Sequence, residues 1–151
     1  MRIRDKIKKP QRPVVAYEIL PPREKDGTLN VYAETISSLL SQTHIDAINI
    51  PEVHDEVGRG ERPVSNQERG EPRKFGMLLQ DIVGIEAIIN RVVVHMPLKK
   101  QMEWIQETYS KYEIDNLIIV GGESSKQKYP GPTVNESLEK ISQDNRTREN
   151  S

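Results

Sequence analysis

Four short runs of β-branched and aliphatic residues alternate with four amphipathic patterns, and this alternation limits the fold more than any other feature of the chain. The runs occupy residues 14–20, 47–50, 91–95 and 117–120. They show little polar alternation, as strands covered on both faces do. Leu29, Tyr32, Ile36, Leu39 and Leu40 share one helical face; Phe75, Leu78, Leu79 and Ile82 share a second, ended by Gly84. Leu98, Met102, Ile105, Tyr109 and Tyr112 give a third stripe, read as helix packed on sheet. A fourth helix starts at Thr133, because Thr133-Val-Asn-Glu136 is a capping box in which each side chain serves an orphan backbone N–H. Val134, Leu138 and Ile141 supply its buried face. The alternation predicts a parallel α/β sheet of right-handed βαβ units.

Composition sets the boundaries. With 151 residues, 34% hydrophobic and 30% charged, the chain suits one soluble domain. Residues 1–13 are basic and lack an apolar signal core, so they read as a solvated lead-in to the first strand rather than a secretory signal. Residues 14–141 form the domain. Residues 142–151 carry no apolar side chain and are expected to be a disordered polar tail. A second loose stretch, 58–73, is rich in Gly, Pro, Glu and Arg and reads as a long loop after the second strand. The net charge of -1 gives no long-range field for nucleic acid or an anionic membrane. No apolar run approaches the ~20 residues that span a bilayer. Cysteine is absent, which excludes disulfides and thiolate chemistry and fits a cytoplasmic protein.

Glu18 is the most unusual residue in this pattern, lying in an apolar run just before Pro21 and Pro22. Alternation places Ala16, Glu18 and Leu20 on one face and Val15, Tyr17 and Ile19 on the other. If the bulky set meets the helices, Glu18 points to the opposite face, near the carboxyl end of its strand. Enclosed there, an unpaired carboxyl would hold a proton near neutral pH and act as a general acid; pairing with Arg23 or another cation is the structural alternative.

After the fourth run, Val120-Gly-Gly-Glu-Ser-Ser125 lets backbone approach a flat ligand at Gly121 and Gly122, with Glu123 at the mouth, or is simply a tight connector. It lacks the glycine patterns of dinucleotide and P-loop folds. His95 ends the third run, where it contacts a ligand or serves as a hydrogen-bonded strand-end histidine. His54 among Glu52, Asp55 and Glu56 reads as a solvated acidic loop rather than a metal site, and His44 reads as structural.

Together these blocks resemble the methylenetetrahydrofolate reductase family. Tyr17-Glu-Ile-Leu-Pro-Pro-Arg23 is similar to its opening signature, Asp46-Ala-Ile-Asn-Ile50 to its second strand, and Ile114-Asp-Asn-Leu-Ile-Ile-Val-Gly-Gly-Glu123 to its fourth strand and following Arg-Gly-Asp. The resemblance covers roughly residues 14–141. It implies a (β/α)8 TIM-barrel flavoprotein of which this chain supplies about four units, a half-barrel, against the eight units and about 250 residues of a full barrel. It further implies FAD at the barrel mouth, with Gly121, Gly122, Glu123, Thr133 and His95 as candidate cofactor contacts. The implied reaction reduces 5,10-methylenetetrahydrofolate to 5-methyltetrahydrofolate with electrons from a nicotinamide or another donor, and Glu18 is the general acid. Glu123 and Gly121 depart from the family's Asp and Arg. A half-barrel is expected to be a fragment or to need a second half, by self-association or from another chain. The alternative is a non-catalytic accessory half-barrel that binds flavin or pterin weakly.

Overall fold

The computed structural model describes residues 2–23, 27–52, 69–122, 125–126 and 128–149. The elements run α1 (Ile3–Lys8), β1 (Ala16–Glu18), α2 (Leu29–Leu40), β2 (Ala47–Pro51), α3 (Pro72–Val83), β3 (Ala87–Val92), α4 (Leu98–Ser110), β4 (Asn116–Val120) and α5 (Val134–Glu149), with a 3-10 turn over Val93–His95 between β3 and α4. The four strands form one sheet in the order β1-β2-β3-β4, every pairing parallel. The fold is therefore α/β with a four-stranded all-parallel sheet, as the alternation predicts.

Register sorts the two faces. Tyr17 pairs with Ile48, Ile48 with Ala87, Ile50 with Ile89, and Ile89 with Leu117; paired residues of parallel strands point the same way. On this face Ile48, Ile50, Ala87 and Ile89 are fully buried with Ala33 and Leu40 of α2 and Phe75 and Leu79 of α3. Each fully buried large apolar side chain contributes roughly 1.5–3 kcal/mol. The opposite face carries Glu18, Asn49, Asn90, Asn116, Ile118 and Val120, and among the described residues no helix layer covers it.

Local chemistry explains the helix ends. The Glu71 carboxylate accepts from Arg73 N at 3.0 Å, Pro72 opens α3, and Gly84 closes it with φ 72°, donating to Gln80 O at 2.9 Å. Thr133 Oγ1 accepts from Glu136 N at 3.2 Å, which is half of the expected capping box. The other half differs, since the Glu136 carboxylate accepts a hydrogen bond from the Thr133 hydroxyl at 3.1 Å.

Several expectations change. The first strand covers Ala16–Glu18 instead of 14–20; residues 72–73 of the expected loop open α3, while 58–68 lie outside the described residues; and Leu39, Ile82, Tyr109 and Leu138, expected on buried helix faces, are exposed. The third strand covers 87–92 instead of 91–95: Val93 O is taken by the Gln101 amide at 2.8 Å and Val94 O by Gly131 N at 2.8 Å, so those residues turn into 3-10 geometry. Residues 142–149 are not a disordered tail but continue α5. There the Lys140–Asp144 pair at 2.9 Å and Arg146 and Arg148 in the last turn favour helix without apolar burial. Within 1–13, residues 3–8 form α1, with Ile3 buried, instead of a wholly solvated lead-in.

Candidate ligand site at the carboxyl ends of the strands

The amino ends of the strands are occupied. Arg2 pairs with Asp115 beside β4 at 3.3 Å, Ile3 N donates to Glu86 ahead of β3 at 2.5 Å, and Lys6 reaches Asp46 ahead of β2 at 3.0 Å. Arg12 also binds Asp46, at 2.7 Å, and contacts His44, giving that histidine the structural place expected of it. Asp46 accepts in addition from Val15 N at 2.8 Å. These bonds, with Arg12 contributing most, then Val15 N and Lys6, hold the Asp46 carboxyl well below the usual carboxylate range against the opposing effect of burial. α1 thus runs beneath the sheet from β4 to β2, leaving the carboxyl ends as the free mouth.

At that mouth Glu18 lies beside β2, where its carboxylate accepts from Asn49 Nδ2 at 3.3 Å. Its face is the one alternation assigns. Glu18 is solvent-exposed, as expected of four strands alone, since among the described residues no opposite wall covers this face. Val15 and Tyr17 are also exposed, Tyr17 by 47%, because β1 is an edge strand. The turn after β1 is held by the returning chain, with Gly70 N and Arg69 Nη1 donating to Pro22 O and Pro21 O at 3.0 and 2.9 Å.

Asn49 and Asn90 stand diagonally on the same open face, since Asn49 pairs with Ile88. Each buries a side-chain carbonyl oxygen, Oδ1, that has no hydrogen-bond partner among the described residues. A buried acceptor without a donor costs about 1–3 kcal/mol, so both are poised for a ligand N–H. A signal was present in the sequence: the pair Ile-Asn recurs at 48–49 and 89–90.

At the β3–β4 end, His95 and Tyr129 meet edge to face, ring centroids 5.8 Å apart. A Cβ on Gly122 would collide with the edge of the Tyr129 ring, and one on Gly131 would collide with the carbonyls of Met96 and Val93. The space over Gly122 is therefore filled by the protein's own aromatic ring, where the sequence suggested a ligand. Gly121 lies beside Val134, and the Thr133 hydroxyl is committed to capping α5. His95, Gly122 and Tyr129 form one cluster, with Gly121 and Thr133 at its border. Glu18 belongs to the other end, three strand spacings away, or roughly 14 Å. Tyr129 was not legible as a site residue.

Glu123, His54, Asp55 and Glu56 lie outside the described residues. Glu52 is no loose carboxylate: it binds Arg91 Nη1 at 2.5 Å and Val92 N at 3.2 Å, and Arg91 lies over Trp104 at 4.0 Å. Burial pushes the Arg91 pKa down and Glu52 opposes that shift. Arg73 lies against the same indole at 4.4 Å. Among the described residues no group of His, Asp and Glu could hold a metal ion, and no helix is long and apolar enough to cross a membrane.

Fold and site define an α/β protein whose helix-backed parallel sheet offers a polar open face and an aromatic, glycine-lined rim at its carboxyl ends. No family model matches the chain, and no curated protein matches its sequence.

Proposed function

We propose that this chain is the first half of a (β/α)8-barrel flavoprotein that reduces 5,10-methylenetetrahydrofolate to 5-methyltetrahydrofolate. The observation that carries the reading is Glu18, an acid on the open sheet face at the carboxyl end of β1, inside the segment that resembles the family's opening signature. Sheet geometry favours a barrel over a doubly wound sheet. The strands lie in chain order with the helices on one face, whereas a doubly wound sheet reverses order and places helices on both. The strands are also staggered. Ala16 is level with Ala47, hence with Glu86 and Ile114, two residues before β4 begins, as tilted barrel strands require.

FAD fits the open face better than the glycine turn. Asn49 and Asn90 offer acceptors to a ring N–H, whereas Tyr129 fills the room over Gly122. When bound, the flavin supplies hydride, drawn from a nicotinamide or another donor. The chain's own chemistry is Glu18 donating a proton to the folate ring nitrogen that leaves as the five-membered ring opens. That role needs water excluded around the carboxyl, which four further strands provide.

A second reading is a non-catalytic half-barrel that binds flavin or pterin weakly, and the exposure of Glu18 favours it. Half-reaction kinetics on the assembled barrel separate the two. Glu18→Gln should slow folate reduction roughly 10²–10⁴-fold while flavin reduction by the donor proceeds unchanged. Unchanged folate turnover would remove Glu18 from the chemistry, and failure of the protein to retain flavin would leave the second reading.

A further inference from the structure

From the two sheet edges, which no further strand joins among the described residues, we infer that the open face is completed by a second copy of this chain, related by a two-fold axis, with β4 of each copy lying parallel to β1 of the other. The inference rests on the barrel reading of the sheet but not on flavin or folate.

β1 and β4 are the edges of a sheet whose strands all run the same way. A two-fold rotation about an axis along the strands brings edge β4 to the partner's edge β1 in parallel orientation, and does so at both seams at once. The contact therefore closes instead of propagating. Eight strands is the number whose interior side chains fill a barrel, and the stagger already present between β1 and β4 is in keeping with such closure.

The side chains agree with this pairing. Ile118 and Val120 project from the open face of β4 with 45% and 36% of their surface exposed, and Ala16 and Glu18 lie exposed on the same face of β1. At the amino end of β4 stand the exposed acids Glu113 and Asp115, the latter already receiving Arg2; ahead of β1 stand the exposed Lys8 and Lys9. Parallel pairing sets the acidic rim of one copy against the basic rim of the other. An antiparallel β4–β4 contact would instead oppose identical strands and leave the basic rim unmatched. Pairing would also place Glu18 and the two orphaned asparagine oxygens inside an enclosed space.

Size-exclusion chromatography with light scattering on the full 151-residue chain tests the inference, and a dimer is expected. Ile118→Lys, at a half-exposed position that the monomer tolerates, should raise the dimer dissociation constant by roughly thirtyfold or more while cooperative unfolding persists. Ile82→Lys, at an exposed position of α3 behind the central strands, should leave the dimer intact. Lys9→Glu and Glu113→Lys should each weaken the dimer at low salt, and the double charge swap should restore it. A monodisperse monomer, open-ended oligomers, or a dimer indifferent to Ile118→Lys would overturn the pairing. A colourless dimer that responds to these substitutions would keep the pairing and sink the flavin reading; a yellow monomer would do the reverse.

Discussion

Gly122 shows how one missing methyl group shapes the mouth of the sheet. The edge of the Tyr129 ring lies too close for a Cβ there, and Tyr129 in turn meets His95 edge to face. Gly122→Ala should therefore displace the ring and cost about 1–3 kcal/mol, the usual penalty of overpacking. Tyr129→Ala alone should cost less than that sum of steric and contact losses, and Gly122→Ala added to it should cost almost nothing further. Urea melts of the four proteins form a double-mutant cycle. Additive losses would mean that the two residues do not meet. At the neighbouring strands, the Glu52 carboxylate binds the Arg91 guanidinium, a residue only 3% exposed. Glu52→Ala strands a buried cation and should cost about 3–5 kcal/mol, whereas a paired apolar replacement of both residues should cost much less. Equal losses in the single and double variants would argue against the pair.

At the scale of elements, α5 joins a legible start to an illegible end. Thr133→Ala should lower stability by about 1 kcal/mol through loss of the Glu136 N–H acceptor, and a denaturant melt reads it directly. The cap was visible in the sequence because Thr-x-x-Glu has a local cause, and Glu71-Pro72 and Gly84 frame α3 for the same kind of reason. What lay beyond Ser142 was invisible because its helix rests on ion pairs and dipole charges, which composition reads only as polarity. β3 was misplaced because Ile85, Ile88 and Ile89 satisfy helical and strand spacing alike, while Val93 and Val94 satisfy strand spacing but have their carbonyls taken by Gln101 and Gly131. The face of Glu18 followed from alternation, and its exposure from the count of four strands, too few to enclose that face. Asn49 and Asn90 carried a readable signal, but Tyr129 sits in a loop where no periodicity points anywhere.

For the molecule as a whole, Asp46 is the joint through which α1 holds the strands. Its carboxylate binds Lys6, Arg12 and Val15 N at once, so α1, the start of β1 and the start of β2 meet on one ionised group. The folded-state pKa is depressed below the ordinary value of about 3.9, so the unfolded chain binds the proton more readily. The stabilisation is therefore fully present above that ordinary value and drains away as pH falls from it toward the lower folded pKa. Acid should act first on this joint, freeing α1 and the β1 edge together. Urea midpoints measured from pH 6 downward should fall most steeply below about pH 4, and Asp46→Asn should show a lower midpoint at neutral pH with a flatter acid limb. The hydrogen-exchange protection factor of Val15 N should fall with the same pH profile, since that amide donates to the carboxylate that is being protonated. If Asp46→Asn kept the steep acid limb, the titrating group would lie elsewhere, and α1 would be held by Ile3 burial and the Glu86 contact instead.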